Sequence, residues 1–253
     1  MTRLAVFAYG LLSYLAFLIV FAYLAGFLLE VLVPKAINDP MLGAQSGTAL
    51  WVALPINLGL IALFGITHSM MARDWFKRAF MQILPQEAER STYVLQSSVF
   101  LALAMWQWRP LDMVVWSVDG PLAWALYASF ALGTGILLLS TFLIDHFELF
   151  GLRQIWSNLR GRPMVQPEFR TPLLYRVVRH PMQLGIMILL LSTPHMTAGH
   201  LLFASSMIAY IFVGLYFEER SLLRSFGARY EAYQAQVPML IPGLPRRRHA
   251  LRS

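Results

Sequence analysis

Long, almost uninterrupted blocks of apolar residues constrain the fold of this chain more than any other feature of its sequence. Because about 20 consecutive apolar residues are enough to cross a bilayer as a helix, such blocks predict membrane spans. Of the 253 residues, 58% are hydrophobic and 13% are charged, whereas a soluble domain has roughly 25% charged residues. The composition therefore excludes a disordered chain, a soluble single-domain enzyme and a DNA-binding module.

Six apolar blocks predict an all-α integral membrane protein with about six transmembrane segments. The blocks cover residues 4–29, 50–71, 93–108, 121–144, 181–192 and 199–217. The first block is too long for the apolar region of a signal peptide, so we expect it to be a true span. The fifth is shorter than a full crossing requires. We therefore interpret the last two blocks as a hairpin with its tip at residues 193–199, followed by an amphipathic cytoplasmic helix over residues 218–236.

The positions of the basic residues predict the orientation. If both termini are cytoplasmic, the outer loops contain only Lys35 and Arg109, and the other 18 of the 20 Lys and Arg residues lie on the cytoplasmic side. Such a bias is typical of multi-pass proteins in which cytoplasmic loops are positively charged. The net charge of +7 thus indicates membrane topology, not nucleic-acid binding. We expect the terminal arginines 246–248 to contact anionic lipid.

Ionisable side chains collect at the cytoplasmic ends of four predicted spans, and the outer leaflet has no comparable group. They are His68, Asp145, His146, Glu148, Arg179, His180, Glu218 and Glu219. Ionisable groups at membrane depth are typical of functional sites, so we predict a site in the cytoplasmic leaflet. Each group also has a structural interpretation, as an interfacial residue, a helix end, a basic anchor or part of a surface salt bridge.

Several classes of chemistry are excluded by what the sequence lacks. The chain has no cysteine, which excludes disulfides, a protein thiolate nucleophile, zinc–cysteine sites and iron–sulfur clusters. No H-E-x-x-H or paired E-x-x-H pattern is present, so we predict no metal site. A glycine-rich phosphate loop and a G-x-S-x-G sequence are also missing.

The segment Arg179-His180-Pro181-Met182-Gln183-Leu184-Gly185 resembles the R-H-P-x-Y-x-G signature of membrane methyltransferases of the isoprenylcysteine carboxyl methyltransferase type. In that family a two-span hairpin follows, then a Glu pair, then F-G-x-x-Y-x-x-Y and a proline. This chain has Glu218-Glu219, then residues 226–233 in the same pattern, then Pro238. The resemblance covers about residues 175–242. Gln183 departs from it, because the family usually has Tyr there.

The N-terminal part resembles the related NnrU-like branch, at residues 68–73 and 89–93. With residues 145–151 and 171–175, the whole chain resembles bacterial methanethiol S-methyltransferases. This resemblance implies S-adenosylmethionine as cofactor, a small thiol as substrate, dimethyl sulfide as product and a bacterial inner-membrane location. It divides the single membrane domain into four N-terminal spans, residues 1–144, and a methyltransferase core, residues 145–253.

The resemblance also implies the site residues. The expected cofactor-binding residues are Tyr175, Arg179, His180, Gln183, Gly185, Glu218 and Glu219. Arg179 suits the carboxylate of the cofactor, and a Glu suits its ammonium group or ribose hydroxyls. Because only a thiolate is strongly nucleophilic, a base with a pKa near neutral is useful. We rank His146 first as that base, with Asp145 beside it, and His68 second.

Three alternatives remain open. One is a methyltransferase that acts on a lipid, an isoprenoid or another thiol. A lipid acceptor predicts a lateral opening between helices, whereas a narrow closed pocket indicates a small thiol. A second is a reductase of the sterol-reductase type, which would bind NADPH. The third is a non-enzymatic NnrU-like membrane protein. The expected partners are a small thiol and membrane lipid, without nucleic acid, and the sequence leaves the oligomeric state open.

Overall fold

The computed structural model describes residues 2–39, 48–80, 84–163 and 169–243. In this part of the chain the helices are α1 (Arg3–Leu29), α2 (Leu50–Met71), α3 (Asp74–Phe80), α4 (Glu89–Gln107), α5 (Gly120–Ile144), α6 (His146–Leu149), α7 (Leu152–Leu159), α8 (Leu174–Val177), α9 (Pro181–Leu191), α10 (Ala198–Phe226) and α11 (Ala228–Gln236). A 3₁₀ turn (Gln86–Ala88) precedes α4, and the strands are β1 (Val114–Ser117) and β2 (His195–Thr197). The predicted lipid contact of arginines 246–248 lies outside the described residues.

Each of the six predicted spans coincides with a helix, which confirms the all-α membrane fold. Among the described residues, α1, α2, α5 and α10 are long and apolar enough to cross a membrane. Helix α4 has 19 residues and a polar first turn, and α9 has only 11 residues. Helix α4 packs against α1 and α2, and α9 packs chiefly against α5. Packing against protein accommodates the polar residues of α4, whereas α9 is apolar but too short to cross a membrane as a helix alone.

Three connections meet at one end of the helix bundle. Strands β1 and β2 pair antiparallel, so the α4–α5 and α9–α10 connections lie side by side. The Thr197 hydroxyl donates to Asn38 at 2.6 Å, which joins the segment after α1 to the same end. Nearby, Trp108 and Phe27 pack against Phe203 with ring centroids 5.3 and 5.9 Å away. This end corresponds to the predicted outer face.

The chain that follows α9 is extended instead of helical. At 1.5 Å per residue, α9 spans only about 16 Å. The extended segment after it carries the chain to β2. Its carbonyl groups accept hydrogen bonds within the protein, at Thr193 from the Trp116 indole (3.0 Å) and at Pro194 from the backbone N–H of Val118 (3.0 Å). Irregular backbone at membrane depth is tolerated when protein satisfies it in this way.

Two glycines let α5 and α9 approach closely. A Cβ atom added to Gly185 would lie 2.6 Å from the carbonyl oxygen of Gly133, and one added to Gly133 would lie 2.8 Å from that of Gly185. Small residues at such crossings are typical of membrane helix pairs. The contact fixes α9 along α5.

The C-terminal part differs from the predicted single amphipathic helix over residues 218–236. Helix α10 continues through Glu218 and Glu219 to Phe226, and Gly227 then ends it with φ 52° and ψ −131°. A residue with a side chain would be strained in this conformation. Helix α11 starts after this glycine and buries Tyr230 against the protein. The segment thus forms two helices that pack on the core instead of one surface helix.

Candidate active site

The Glu219 carboxylate is the centre of a hydrogen-bond cluster on α10. Arg179 donates to its two oxygens through Nε (2.9 Å) and Nη2 (3.0 Å). His180 Nε2 lies 2.6 Å from Oε1, and the Tyr230 hydroxyl donates to the same atom at 2.8 Å. The Gln234 amide donates to Oε2. Bidentate, charge-assisted bonds of this kind are among the strongest in proteins, so the cluster ties α9, α10 and α11 together.

The segment before α9 is also fastened to the chain that follows α11. Arg179 Nη1 donates to the Val237 carbonyl at 2.7 Å. The backbone N–H groups of Arg179 and His180 donate to the carbonyls of Pro238 (2.9 Å) and Met239 (3.1 Å). The guanidinium that we predicted for the cofactor carboxylate therefore points its donors at protein groups in this structure. Its role in cofactor binding stays a prediction.

Glu218 has different surroundings from its neighbour. Consecutive helical side chains point about 100° apart, and the Glu218 side chain is 46% exposed whereas that of Glu219 is 13% exposed. The Gln183 amide donates to Glu218 at 3.2 Å, and His180 Nδ1 lies 3.8 Å from it. The structure thus brings two other predicted cofactor residues, Gln183 and His180, to the accessible carboxylate of Glu218.

Tyr175 lies against this group from α8. Its ring is buried, its hydroxyl donates to the Ser140 carbonyl at 3.4 Å, and its carbonyl accepts from the Tyr233 hydroxyl at 2.5 Å. Burial, followed by the negative charge of Glu218, raises the pKa of Tyr175 above its ordinary value. The phenol is therefore neutral at pH 7. Gly185, the remaining predicted cofactor residue, lies in the α5–α9 contact.

His146 is held between two hydroxyl groups. Its Nδ1 lies 2.8 Å from the Thr141 hydroxyl, and its Nε2 lies 2.7 Å from the Tyr14 hydroxyl. Because the Thr141 hydroxyl donates its own proton to a carbonyl of α5, it accepts from Nδ1–H, and Tyr14 donates to Nε2. Burial lowers the pKa of His146, against an opposing effect of the Asp145 charge. The imidazole is therefore neutral at pH 7.

Asp145 makes its hydrogen bonds elsewhere. One of its oxygens accepts from the Glu148 backbone N–H at 3.1 Å, which caps α6, and the other lies 2.5 Å from Arg153. Its influence on His146 is thus electrostatic only. Glu148 lies 3.8 Å from Arg153 as well. His146 and Asp145, which the sequence analysis ranked first, are adjacent in the chain, but their side chains do not hydrogen-bond to each other.

His68, on α2, also lies between two hydroxyl groups, as His146 does. Its Nδ1 lies 2.8 Å from the Ser97 hydroxyl, and its Nε2 lies 2.5 Å from the Tyr93 hydroxyl. Ser97 donates its proton to the Tyr93 carbonyl (2.7 Å), so it accepts from His68 and leaves Tyr93 as the donor. The His68 ring also contacts the Tyr210 ring of α10, with centroids 6.1 Å apart. The Tyr93–His68 pair therefore adjoins α10, the helix that carries Glu218.

Four site tyrosines and Gln234 were missed by the sequence prediction. Tyr93 and Tyr230 lie inside the quoted family motifs, so the motifs signalled them without assigning a role. Gln234 follows Tyr230 by four residues, which places both on one face of α11. Tyr14 and Tyr210 stand in apolar blocks, where a tyrosine usually indicates the membrane interface. Nothing in the sequence pairs Tyr14 with a histidine 132 residues later.

An apolar groove of about 530 Å³ opens sideways between α2 and α10. Its polar edge is formed by Ser69, Tyr210 and Arg73, and apolar side chains including Leu58, Ile66 and Val213 line the rest. The Tyr210 hydroxyl is 3.0 Å from that of Ser69, and its ring lies edge-on to His68, with centroids 6.1 Å apart. The groove is a lateral opening of the kind expected for an apolar acceptor.

Fold and site together define a multi-pass, all-α membrane protein with a carboxylate site at one end of its helix bundle. The chain is 49% identical to methanethiol S-methyltransferase 2 of Bradyrhizobium diazoefficiens, over 97% of this chain and 93% of the relative. It is 47% identical to a methanethiol S-methyltransferase of Mycobacterium tuberculosis, over 96% of this chain and 98% of the relative. The chain belongs to the methanethiol S-methyltransferase family, as its sequence motifs predicted.

More distant similarity extends to animals. A Nurim homolog of Drosophila pseudoobscura pseudoobscura is 30% identical over 63% of this chain and 66% of the relative. No family model matches the chain, and no solved structure matches it either.

Proposed function

We propose that this protein methylates methanethiol to dimethyl sulfide with S-adenosylmethionine, at the cytoplasmic leaflet of a bacterial inner membrane with both termini in the cytoplasm. Membership of the family supports the reaction. The observation that carries the site is the accessible carboxylate of Glu218, which is flanked by Gln183 and His180.

The residues around Glu218 fit S-adenosylmethionine. When bound, this cofactor supplies an electrophilic methyl group on a positively charged sulfur. Glu218 would accept hydrogen bonds from the ammonium group or the ribose hydroxyls, and Gln183 would support it. Arg179 and Glu219 would hold α9 and α10 in register around the cofactor.

Tyr93 and His68 would remove the thiol proton. Tyr93 accepts the proton from sulfur while it donates its own proton to Nε2 of His68. The deprotonated thiol sulfur would then be the nucleophile for the methyl group that the cofactor supplies, and dimethyl sulfide and S-adenosylhomocysteine would be the products. Ser97, by accepting from Nδ1–H, keeps His68 in the tautomer that receives this proton, which His68 later releases to water.

The Tyr14–His146 pair is the alternative base. We place it second because the Tyr93–His68 pair adjoins the apolar groove, where the His68 ring lies edge-on to that of Tyr210. Positioned general bases contribute about 10²–10⁴-fold to turnover. The two pairs can therefore be separated by their effects on kcat.

Purified protein with S-adenosylmethionine and methanethiol tests the proposal, with dimethyl sulfide and S-adenosylhomocysteine measured together. We expect equal amounts of the two products, and Tyr93→Phe and His68→Asn to lower kcat by about 10²-fold or more. Tyr14→Phe and His146→Asn serve as the matched variants. A larger loss of kcat in these two variants would identify the Tyr14–His146 pair as the base. A folded preparation that binds NADPH and no S-adenosylhomocysteine would contradict the methyltransferase assignment.

The groove between α2 and α10 favours a second candidate, in which the acceptor is a longer, apolar thiol. A series of alkanethiols assayed with the wild type and Ala62→Phe distinguishes the two. If the groove admits the acceptor, this substitution in its wall raises KM for the longer thiols and leaves KM for the cofactor unchanged. A preference for methanethiol that the variant does not alter supports the first candidate.

A further inference from the structure

A basic pocket of about 420 Å³ lies outside the Glu218 site, between the segment before α8 and the start of α11. Its lining residues are Phe169, Arg170, Thr171, Pro172, Arg176 and Arg229. Three of these six are arginines and none is acidic. The pocket therefore presents concentrated positive charge.

Backbone carbonyl groups accept hydrogen bonds from two of these arginines. A carbonyl group has no net charge, so it orients the guanidinium group without neutralising its positive charge. Arg176 Nε donates to the Thr171 carbonyl at 3.2 Å, and Arg229 Nη2 donates to the Phe169 carbonyl at 3.2 Å. The Arg229 guanidinium also lies over the Phe169 ring, 5.3 Å from its centroid. Within the described part of the chain, neither side chain forms an ion pair. Two oriented guanidinium groups remain able to donate to an anion, for which they are well suited.

The surroundings of the pocket indicate lipid as the source of that anion. Exposed apolar side chains flank Arg176, at Leu173 just before α8 and at Val177 in α8. Ile241 is exposed as well. Helix α9 begins at Pro181, four residues after α8 ends, so the arginines lie where the chain enters the apolar layer. Apolar side chains beside clustered arginines are typical of segments that contact an anionic membrane surface.

We propose that this pocket binds the phosphate of an anionic phospholipid through Arg176 and Arg229, with Leu173 and Val177 inserted among the acyl chains. The site is separate from the methyl acceptor and does not depend on which thiol is methylated. The bound lipid would hold α8 and α11 against the membrane surface.

Lipid binding to the purified full-length protein tests the proposal. The protein is placed in nanodiscs of phosphatidylglycerol or of phosphatidylcholine. After extraction into detergent, native mass spectrometry counts the lipid molecules that stay bound to the protein. We expect the wild type to retain phosphatidylglycerol selectively. In the Arg176→Gln/Arg229→Gln variant we expect the apparent affinity for this lipid to be weaker by about tenfold or more. The charge-matched control is Arg78→Gln/Arg224→Gln, two exposed arginines outside the pocket, which we expect to retain the lipid as the wild type does.

Three results would overturn the proposal. The first is equal loss of phosphatidylglycerol in both double variants, which would show a general charge effect. The second is displacement of the lipid by millimolar inorganic phosphate, which would indicate a site for free anions. The third is a weaker affinity for S-adenosylhomocysteine in Arg176→Gln/Arg229→Gln with lipid retention unchanged, which would assign the pocket to the cofactor. A failure of the methyltransferase assay alone would not affect these measurements.

Discussion

At the scale of single residues, the adjacent Glu218 and Glu219 carry the same charge but have opposite surroundings. Glu219 is mostly buried and accepts from four side chains, whereas Glu218 is half exposed and accepts from one amide. A buried carboxylate that neutralises a guanidinium holds structure together. An accessible carboxylate is free to receive a ligand. The pair thus combines a structural residue with the residue that we propose for cofactor binding.

Substitution of the two glutamates by glutamine should separate these roles. Glu219→Gln leaves the Arg179 charge without its partner, and we expect it to lower the free energy of unfolding by about 3 kcal/mol or more. Glu218→Gln should change stability by less than about 1 kcal/mol and weaken S-adenosylhomocysteine binding at least tenfold. Thermal unfolding in detergent and a binding titration measure both. Equal destabilisation by the two substitutions would contradict the assignment.

His146 should make the stability of the protein depend on pH. Because burial lowers its pKa in the folded state below the unfolded value of about 6.5, the unfolded chain binds more protons as the solution becomes acidic. Stability is therefore expected to fall as pH decreases from 7 to 5. His146→Asn removes this contribution, so its unfolding temperature should decline less steeply. Parallel pH profiles for the variant and the wild type would show that His146 does not contribute.

The sequence could identify the charged residues of the site but not their pairings. Arg179, His180, Glu218 and Glu219 were predicted from a motif and from their level in the membrane. The division of labour between the two glutamates depends on side-chain direction and on Tyr230 and Gln234 of α11, which lie across a helix break. The tyrosine partners of the two histidines come from other helices, and a single sequence does not show which helices pack together.

At the scale of secondary-structure elements, the α5–α9 contact determines where the start of α9 lies. Helix α9 begins with His180 as its N-cap residue and is fixed along α5 at the Gly133–Gly185 crossing. Apolar periodicity predicted both helices. It could not predict the crossing, because glycine in an apolar block indicates close approach only once the facing helix is known.

Alanine at either crossing glycine should force the helices apart. Because the new Cβ would lie within 3 Å of backbone atoms, we expect Gly133→Ala and Gly185→Ala each to cost about 1–3 kcal/mol of stability. Gly135→Ala is the control on the same helix, since no atom lies within 4 Å of its added Cβ. We expect it to be neutral or slightly stabilising. Unfolding in detergent measures all three, and equal effects would rule out a steric role for the crossing.

At the scale of the whole molecule, the two ends of the helix bundle carry different features. One end joins three connections through β1, β2 and Asn38, and the other carries the residues of the proposed site. Hydropathy predicted the all-α membrane fold correctly, whereas the orientation that the basic residues indicate stays a prediction. The extended segment between α9 and β2 was not predicted, because its hydrogen bonds come from a strand elsewhere in the chain.

The orientation can be tested with single cysteines, since the chain contains none. We expect Asp119→Cys, at the end with the β-strands, to react with a membrane-impermeant maleimide in intact cells. Thr2→Cys should react only after the membrane is opened. Both positions are exposed, so a difference reports the side of the membrane. The reverse labelling pattern would invert the proposed topology and place the methylation site outside the cytoplasm.

The ion pair between Arg179 and Glu219 has a consequence for biosynthesis. Forty residues separate its partners along the chain, so a ribosome completes the arginine well before the carboxylate that neutralises it. Until α10 has entered the bilayer, the nascent protein carries a positive charge at the edge of the apolar layer with no counter-ion of its own. In that interval we expect the lipid headgroups to supply the missing negative charge, and the partly inserted chain to be most vulnerable to membrane proteases.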